Sequence, residues 1–237
     1  MTLSPDDITY FTLGPFPVTA TLVFTWVIMA VLVLSSWLIT RRLRTQTPLA
    51  PGQHVLEGLV AFILAEIEGV TRHDARPYLP FVGTLFLFIV AANILSVIPG
   101  FQPPTGSLTT TAALAVLVLF SVPYFGIRRV GLGSYLRSYL EPTPFMLPFT
   151  IIGELSRTLS LAVRLFGNVM SGSVIVVILL SIAPLFFPVI MQAFSLFIGV
   201  LQAYIFAVLA IVYIASATTV SSERIAKAAA SADEGGD

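Results

Sequence analysis

The sequence predicts an all-α integral membrane protein: five transmembrane helices plus one amphipathic interfacial helix, with the last two spans long and tilted. Three observations carry this. Of 237 residues, 57% are hydrophobic and only 10% charged, with a mean hydropathy of +0.95. Soluble domains average about 25% charged residues, so the solvent here is lipid. The apolar residues fall in runs long enough to cross a bilayer. The basic residues collect in alternate connections between those runs.

The first span, about 18–40, ends at the basic cluster Arg41, Arg42 and Arg44. The second, about 78–98, is closed by Pro99-Gly100, and the third, about 108–127, runs into Arg128-Arg129. The last two, about 145–183 and 185–219, each hold 35 or more residues. At 1.5 Å per residue each exceeds about 50 Å, so a core of about 30 Å holds them only with strong tilt or projecting ends. Pro184 and Pro188 punctuate the turn between them.

Residues 52–70, GQHVLEGLVAFILAEIEGV, differ from the spans. Val55, Leu56, Leu59, Val60, Ile63 and Ile67 recur at helical spacing, while Glu57, Glu66 and Glu68 interrupt any spanning run. Two placements fit: an amphipathic helix at the membrane surface, or a satellite packed on other segments. No internal repeat divides the chain, so residues 1–237 are read as one membrane domain. The small, polar tail, about 225–237, is expected to be disordered.

Loop charges set an expected orientation. Ten of the twelve Lys and Arg residues are Arg41, Arg42, Arg44, Arg72, Arg76, Arg128, Arg129, Arg137, Arg224 and Lys227. A five-span topology places all ten on one side. The opposite connections, 99–107 and the turn at Pro184, carry no charge, and the first residues carry only Asp6 and Asp7. The positive-inside rule then puts the N-terminus outside and the C-terminus in the cytoplasm.

Several function classes are disfavoured. A net charge of zero offers no basic surface for nucleic acid. The absence of cysteine removes thiolate metal sites, and two histidines, His54 and His73, do not make a cluster. No glycine-rich phosphate loop occurs, so no nucleotide site or other cofactor is expected. The acidic opening, MTLSPDDITYFTLGPFP, does not resemble a cleavable signal peptide.

The residue that points to function is Arg164. Between Arg157 and Glu223 it is the one charged residue in 65. A guanidinium stays protonated, and at bilayer depth it costs at least about 2.5–3.5 kcal/mol. Such residues face the protein interior or a water-filled cavity and mark ion or substrate paths. Steps of three and four align Arg157, Ser160, Arg164, Asn168 and Ser171 on one helix face, opposite Leu159, Val163, Phe166, Met170 and Val174. Serine and asparagine here also fit a plainer role as hydrogen-bonding glue between helices. Glu154 sits three residues before Arg157, a pairing distance. It is ten residues from Arg164, about 15 Å along the helix. The acid that Arg164 needs is therefore expected from another subunit. On the final span Gln192, Ser195, Gly199 and Gln202 form a second stripe. If the last two regions make a hairpin, Gln202 can approach Arg164. A small-residue crossing at Gly199 is the plainer reading.

These residues resemble a known family. SLAVRLFGNVMSG, residues 160–172, resembles the signature of subunit a of rotary F-type ATP synthases. LQAYIFAVLAIVYIASA, residues 201–217, is similar to that family's last helix. NILSVIPG at 93–100, followed by TTTAALA at 109–115, is similar to its middle region. The resemblance runs in order along nearly the whole chain. It implies five spans with one interfacial helix, the last two spans lying against a ring of c subunits. It also implies a b-subunit peripheral stalk, the rest of the F-type complex and a bacterial inner membrane. The chain would be no enzyme by itself, catalysis belonging to partner subunits. Arg164 would match the essential arginine and Gln202 the polar residue facing it, with Asn168 and Asn93 near the ion path. Two offset half-channels would pass the ion to and from a c-subunit carboxylate.

The chain departs from the family pattern along the outer half-channel. Ser173, Ser195, Ser96 and Ser107 stand where ionisable groups are common, leaving that path hydroxyl-lined and almost uncharged. Water held by hydroxyls passes protons; hydroxyls and carbonyls also suit a sodium ion. Proton is the first expectation and sodium the second. An independent channel or transporter, and a membrane scaffold with Arg164 as an anchor, are the remaining alternatives.

Overall fold

The computed structural model describes residues 6, 9–13, 16–41, 51–71, 74–98, 100–133, 135, 147–182 and 187–233. A short antiparallel hairpin comes first. Strand β1 (Thr9–Leu13) pairs with β2 (Phe16–Thr19), with Thr9 opposite Thr19 and Leu13 opposite Phe16. Threonine, tyrosine, phenylalanine and valine suit a pleated ribbon. Among the described residues the all-helical expectation therefore holds from Ala20 onward, and the hairpin is a correction to it. Hydropathy does not register so short an element.

Helices follow as α1 (Ala20–Thr40), α2 (Pro51–Thr71), α3 (Leu79–Leu95), a 3-10 turn (Pro104–Gly106), α4 (Leu108–Val130), α5 (Leu147–Ile182) and α6 (Phe187–Asp233). Among the described residues, α1, α4, α5 and α6 each contain a stretch long and apolar enough to cross a membrane. Helix α3 is equally apolar but has 17 residues. That is about 25 Å, against a hydrocarbon core of about 30 Å. Helical turns carry the chain on to Ile98, whose N–H donates to the Leu95 carbonyl at 3.0 Å. The second expected span is thus a shorter helix extended by a turn.

The long last helices are present. Helix α5 has 36 residues and α6 has 47, about 54 and 70 Å. Helix α6 includes 225–233, part of the tail expected to be disordered. The alanines of AKAAASAD carry the highest helix propensity and extend a helix already begun. The turn at Pro184, the side chains Arg42, Arg44, Arg72 and Arg137, and residues 234–237 lie outside the described residues.

Helix α6 is the hub, packed on α3, α5, α4 and α2, while α1 and α2 also lie on α3 and α4 also packs on α5. Ile89, Ala92, Val118, Leu161, Leu165, Ala203, Phe206 and Ile211 are buried where these helices meet. Helices α1 and α5 leave most of their length exposed, including Trp26, Val33, Leu38, Leu159 and Val163. Exposed apolar rows of this extent face lipid or another subunit. Packing of α2 on other segments, which is compatible with a place at the membrane surface, is observed: Ile63 and Ile67 are buried, and α2 lies on α3 and α6. Helix α4 stops at Gly131, whose φ of 85° favours glycine and whose N–H donates to the Ile127 carbonyl at 2.8 Å.

Candidate functional site

Counted from Leu147, Arg164 is the eighteenth of the 36 residues in α5, about 26 Å from either end. Its side chain is exposed, as are Ser160, Gly167 and Ser171 along the same side. Asn168 is half-buried. Leu161, Ala162 and Leu165 turn inward instead. Among the described residues no carboxylate pairs with Arg164 and no hydrogen bond joins it to Gln202. The guanidinium thus points away from the chain's own core at the middle of an apolar helix. Arg157, seven residues earlier, places its guanidinium carbon 5.6 Å from the Tyr213 ring centre, tying α5 to α6. Glu154, on the same stretch of α5, is half-buried, and its carbonyl accepts from the Thr158 hydroxyl at 2.9 Å.

The second stripe sits inside. Gln202 is 6% exposed, and its Nε2 is buried without a hydrogen-bond partner among the described residues. An unpaired buried amide costs about 1–3 kcal/mol, so this donor stands out among the buried polar groups. One turn earlier, Asn93 of α3 donates from Nδ2 to the Gly199 carbonyl at 3.0 Å and to the Ile89 carbonyl at 2.9 Å. A Cβ on Gly199 would stand 2.7 Å from Asn93 Cγ, so glycine is what lets α6 reach this asparagine. The small-residue crossing at Gly199 and the polar stripe are one feature.

The crossing continues towards the other end of α3. Gln192 Nε2 donates to the Ser96 carbonyl at 3.0 Å, and Ser96 Oγ donates to the Asn93 carbonyl at 2.6 Å. Ser195 Oγ lies 3.0 Å from where a Cβ on Gly172 would stand, so Ser195 marks where α6 crosses α5. Ser173 instead returns its hydroxyl to the Met170 carbonyl of its own helix at 2.9 Å and stays exposed. The structure therefore links Asn93, Ser96 and Gln192 through hydrogen bonds, and leaves Arg164 and Ser173 exposed on opposite faces of α5.

Ser107 holds a contact that sequence reasoning missed. It precedes α4 as its N-cap, is fully buried and makes no side-chain cap. Its hydroxyl donates to the Asp6 carboxylate, which also accepts from Thr21 Oγ1 in the first turn of α1. A separation of 101 residues left no sequence signal for this pairing. Likewise Tyr204 of α6 donates its hydroxyl to Glu66 of α2 at 2.9 Å. These two groups border a small cavity with Phe62, Phe86 and Ala207. The acidic residue that interrupts the apolar face of α2 thus meets a polar partner two residues from Gln202.

The helices and their exposed apolar faces define a multi-pass helical membrane protein with polar contacts where its helices cross. Residues 22–215 match the family described as ATP synthase A chain, and the chain belongs to it. "ATP synthase subunit a 2" of Acaryochloris marina is 56% identical over 220 residues, covering 93% of this chain and 94% of the relative. "ATP synthase subunit a" of Albidiferax ferrireducens is 56% identical over 218 residues, 92% and 94% of the two chains. "ATP synthase subunit a" of Nitrosospira multiformis is 48% identical over 237 residues, 100% of this chain and 93% of the relative.

Proposed function

We propose that this chain is the ion-translocating stator subunit of an F-type ATP synthase and that Arg164 faces a carboxylate of the c-subunit ring. The observation that carries the proposal is the outward Arg164 at mid-helix, with no ion pair among the described residues. A bare guanidinium facing hydrocarbon is expensive, so that surface calls for a partner bearing negative charge. The family membership supplies the context: a subunit of the membrane sector, with catalysis in other subunits.

The chemistry follows from charge and solvation. A carboxylate in lipid favours its neutral or ion-bound form, and an adjacent guanidinium favours the bare anion. As the ring turns, each loaded carboxylate meeting Arg164 releases its ion to the inner half-channel, then reloads from the outer one. The fixed positive charge repels cations that would leak directly between the two. Moving one charge through 100 mV supplies about 2.3 kcal/mol, which drives rotation only while that leak is closed. Gln202, Asn93 and Asn168 provide amide groups beside this route, and Ser96, Ser107, Ser173 and Ser195 provide hydroxyls. The N-terminus lies outside and the C-terminus in the cytoplasm, the b-subunit stalk and the c ring being the partners within the complex. Protons are the translocated ion. The hydroxyl-lined outer positions give sodium a specific claim as the second reading.

In membranes carrying the assembled complex, Arg164→Ala abolishes ion-driven ATP synthesis while ATP hydrolysis by the detached catalytic head persists. Coupled synthesis at the normal rate in that variant would refute the role. Running vesicles with the unsubstituted complex with and without sodium at several pH values separates the ions, sodium activation overturning the proton reading.

A further inference from the structure

Asp6 stands apart from the sequence around it. No Asp, Glu, Lys, Arg or His occurs from residue 8 to 40, from 77 to 127 or from 165 to 222. At the non-basic end of the bundle, where α1 and α4 begin, Asp6 is the carboxylate among the described residues. The fold draws Asp6 back onto this surface. Its two oxygens accept from Thr21 in the first turn of α1 and from Ser107 at the head of α4. The starts of two helices thus converge on one carboxylate.

A second observation concerns the same turn. Thr105, two residues from Ser107, is fully buried, and its hydroxyl has no hydrogen-bond partner among the described residues. Gln102 Oε1 in the same connection is also buried and unpartnered. Unpaired buried oxygens in the turn that leads to Ser107 are what water or a cation would satisfy. The turn also reaches towards Arg164. A Cβ on Gly106 would stand 3.5 Å from Val169 Cγ1, and Val169 is five residues past Arg164 in α5, about 7.5 Å of helix rise.

We infer that Asp6 is the carboxylate that collects the translocated cation at the outer mouth, with Ser107 and Thr21 holding it there and the oxygens of Thr105 and Gln102 lining the way in. This rests on the proposed ion-translocating function and names the charged group that the hydroxyl-lined route otherwise lacks. The competing role is an anchor tying the N-terminal segment to α1 and α4. Asparagine has the same shape but one acceptor oxygen in place of two, so an anchor variant loses stability or maximal rate with its ion profile unmoved, whereas a collector variant shifts the profile.

The test uses vesicles with the assembled complex, reading ATP synthesis against outer pH and against outer sodium. For Asp6→Asn the expected result is a shift of about tenfold towards higher outer ion concentration for half-maximal rate, with the maximal rate recovered at saturating ion and Asp6→Glu restoring the profile. Shift of the pH profile alone assigns protons, and of the sodium profile alone assigns sodium. An unchanged profile in an assembled Asp6→Asn complex overturns the inference. If that complex does not assemble, Ser107→Ala decides, since it keeps the carboxylate and removes one tie: a shifted ion profile supports collection, and an unchanged one overturns it. Arg164→Ala run alongside separates the two readings. Lost coupling there with a wild-type Asp6→Asn profile removes only the collector, whereas retained coupling removes the translocation reading itself.

Discussion

The contact between α3 and α6 gives the sharpest structural prediction. At Gly199 the added carbon of alanine would lie 2.7 Å from Asn93 Cγ, 2.8 Å from its Oδ1 and 3.1 Å from its Cβ. Those atoms belong to a short side chain pinned by two hydrogen bonds, so it cannot swing aside cheaply. Overpacking of this kind costs about 1–3 kcal/mol. Losing the Asn93 bond to the Gly199 carbonyl adds about 1 kcal/mol, and better helix propensity returns about as much. Gly199→Ala is therefore expected to destabilise by about 1–3 kcal/mol. The assay is thermal melting of the purified complex, followed by loss of this subunit. Asn93→Ala combined with Gly199→Ala relieves the clash, so the double variant should melt above Gly199→Ala, a coupling of the size seen between touching residues. A Gly199→Ala complex that melts like wild type, or a double variant with simply additive losses, would refute the packing argument.

The remaining predictions concern other contacts. Gly126→Ala would drive a Cβ into the ring of Tyr135, so it should lower the melting temperature, and Tyr135→Ala in the same chain should recover part of the loss. Tyr204→Phe removes the hydroxyl that Glu66 accepts from and should destabilise the complex by about 1.5–3 kcal/mol, the range for bonds to charged groups, as read by melting. Gly131→Ala forces a side chain into a φ of 85° at the end of α4 and should cost about 1 kcal/mol in the same measurement.

Much of this architecture was legible because bilayer thickness imposes a length that hydropathy can count. The expected spans about 18–40, 145–183 and 185–219 start within two residues of α1, α5 and α6. What hydropathy misses is anything shorter than a membrane or outside it. The hairpin at Thr9–Leu13 and Phe16–Thr19 is too short to count. The second span loses its last turn of regular helix because Pro99 and Gly100 follow it. Arg164 and Gln202 were found by their isolation among apolar neighbours, and Asn93 by its place in a family-like run of residues. Their contacts were not legible. The Asn93–Gly199 bond spans 106 residues and the Tyr204–Glu66 bond 138, and helical periodicity within one segment says nothing about which segments meet. The same limit hid Asp6, whose position two-thirds of the way to the hairpin gave no hint that it reaches Ser107.

The central claim is that the outward side of α5 around Arg164 lies against the carboxylates of the c ring. The chain has no cysteine, so single cysteines can be placed without interference. Gly167→Cys and Ser171→Cys lie on the exposed side, and Leu165→Cys lies on the buried side. Each is paired with a cysteine one turn from the ring carboxylate and oxidised in the assembled complex. The account predicts disulfide bonds to the ring from positions 167 and 171 and none from 165. Crosslinks confined to 165, or absent from all three in a complex that contains the ring, would contradict it.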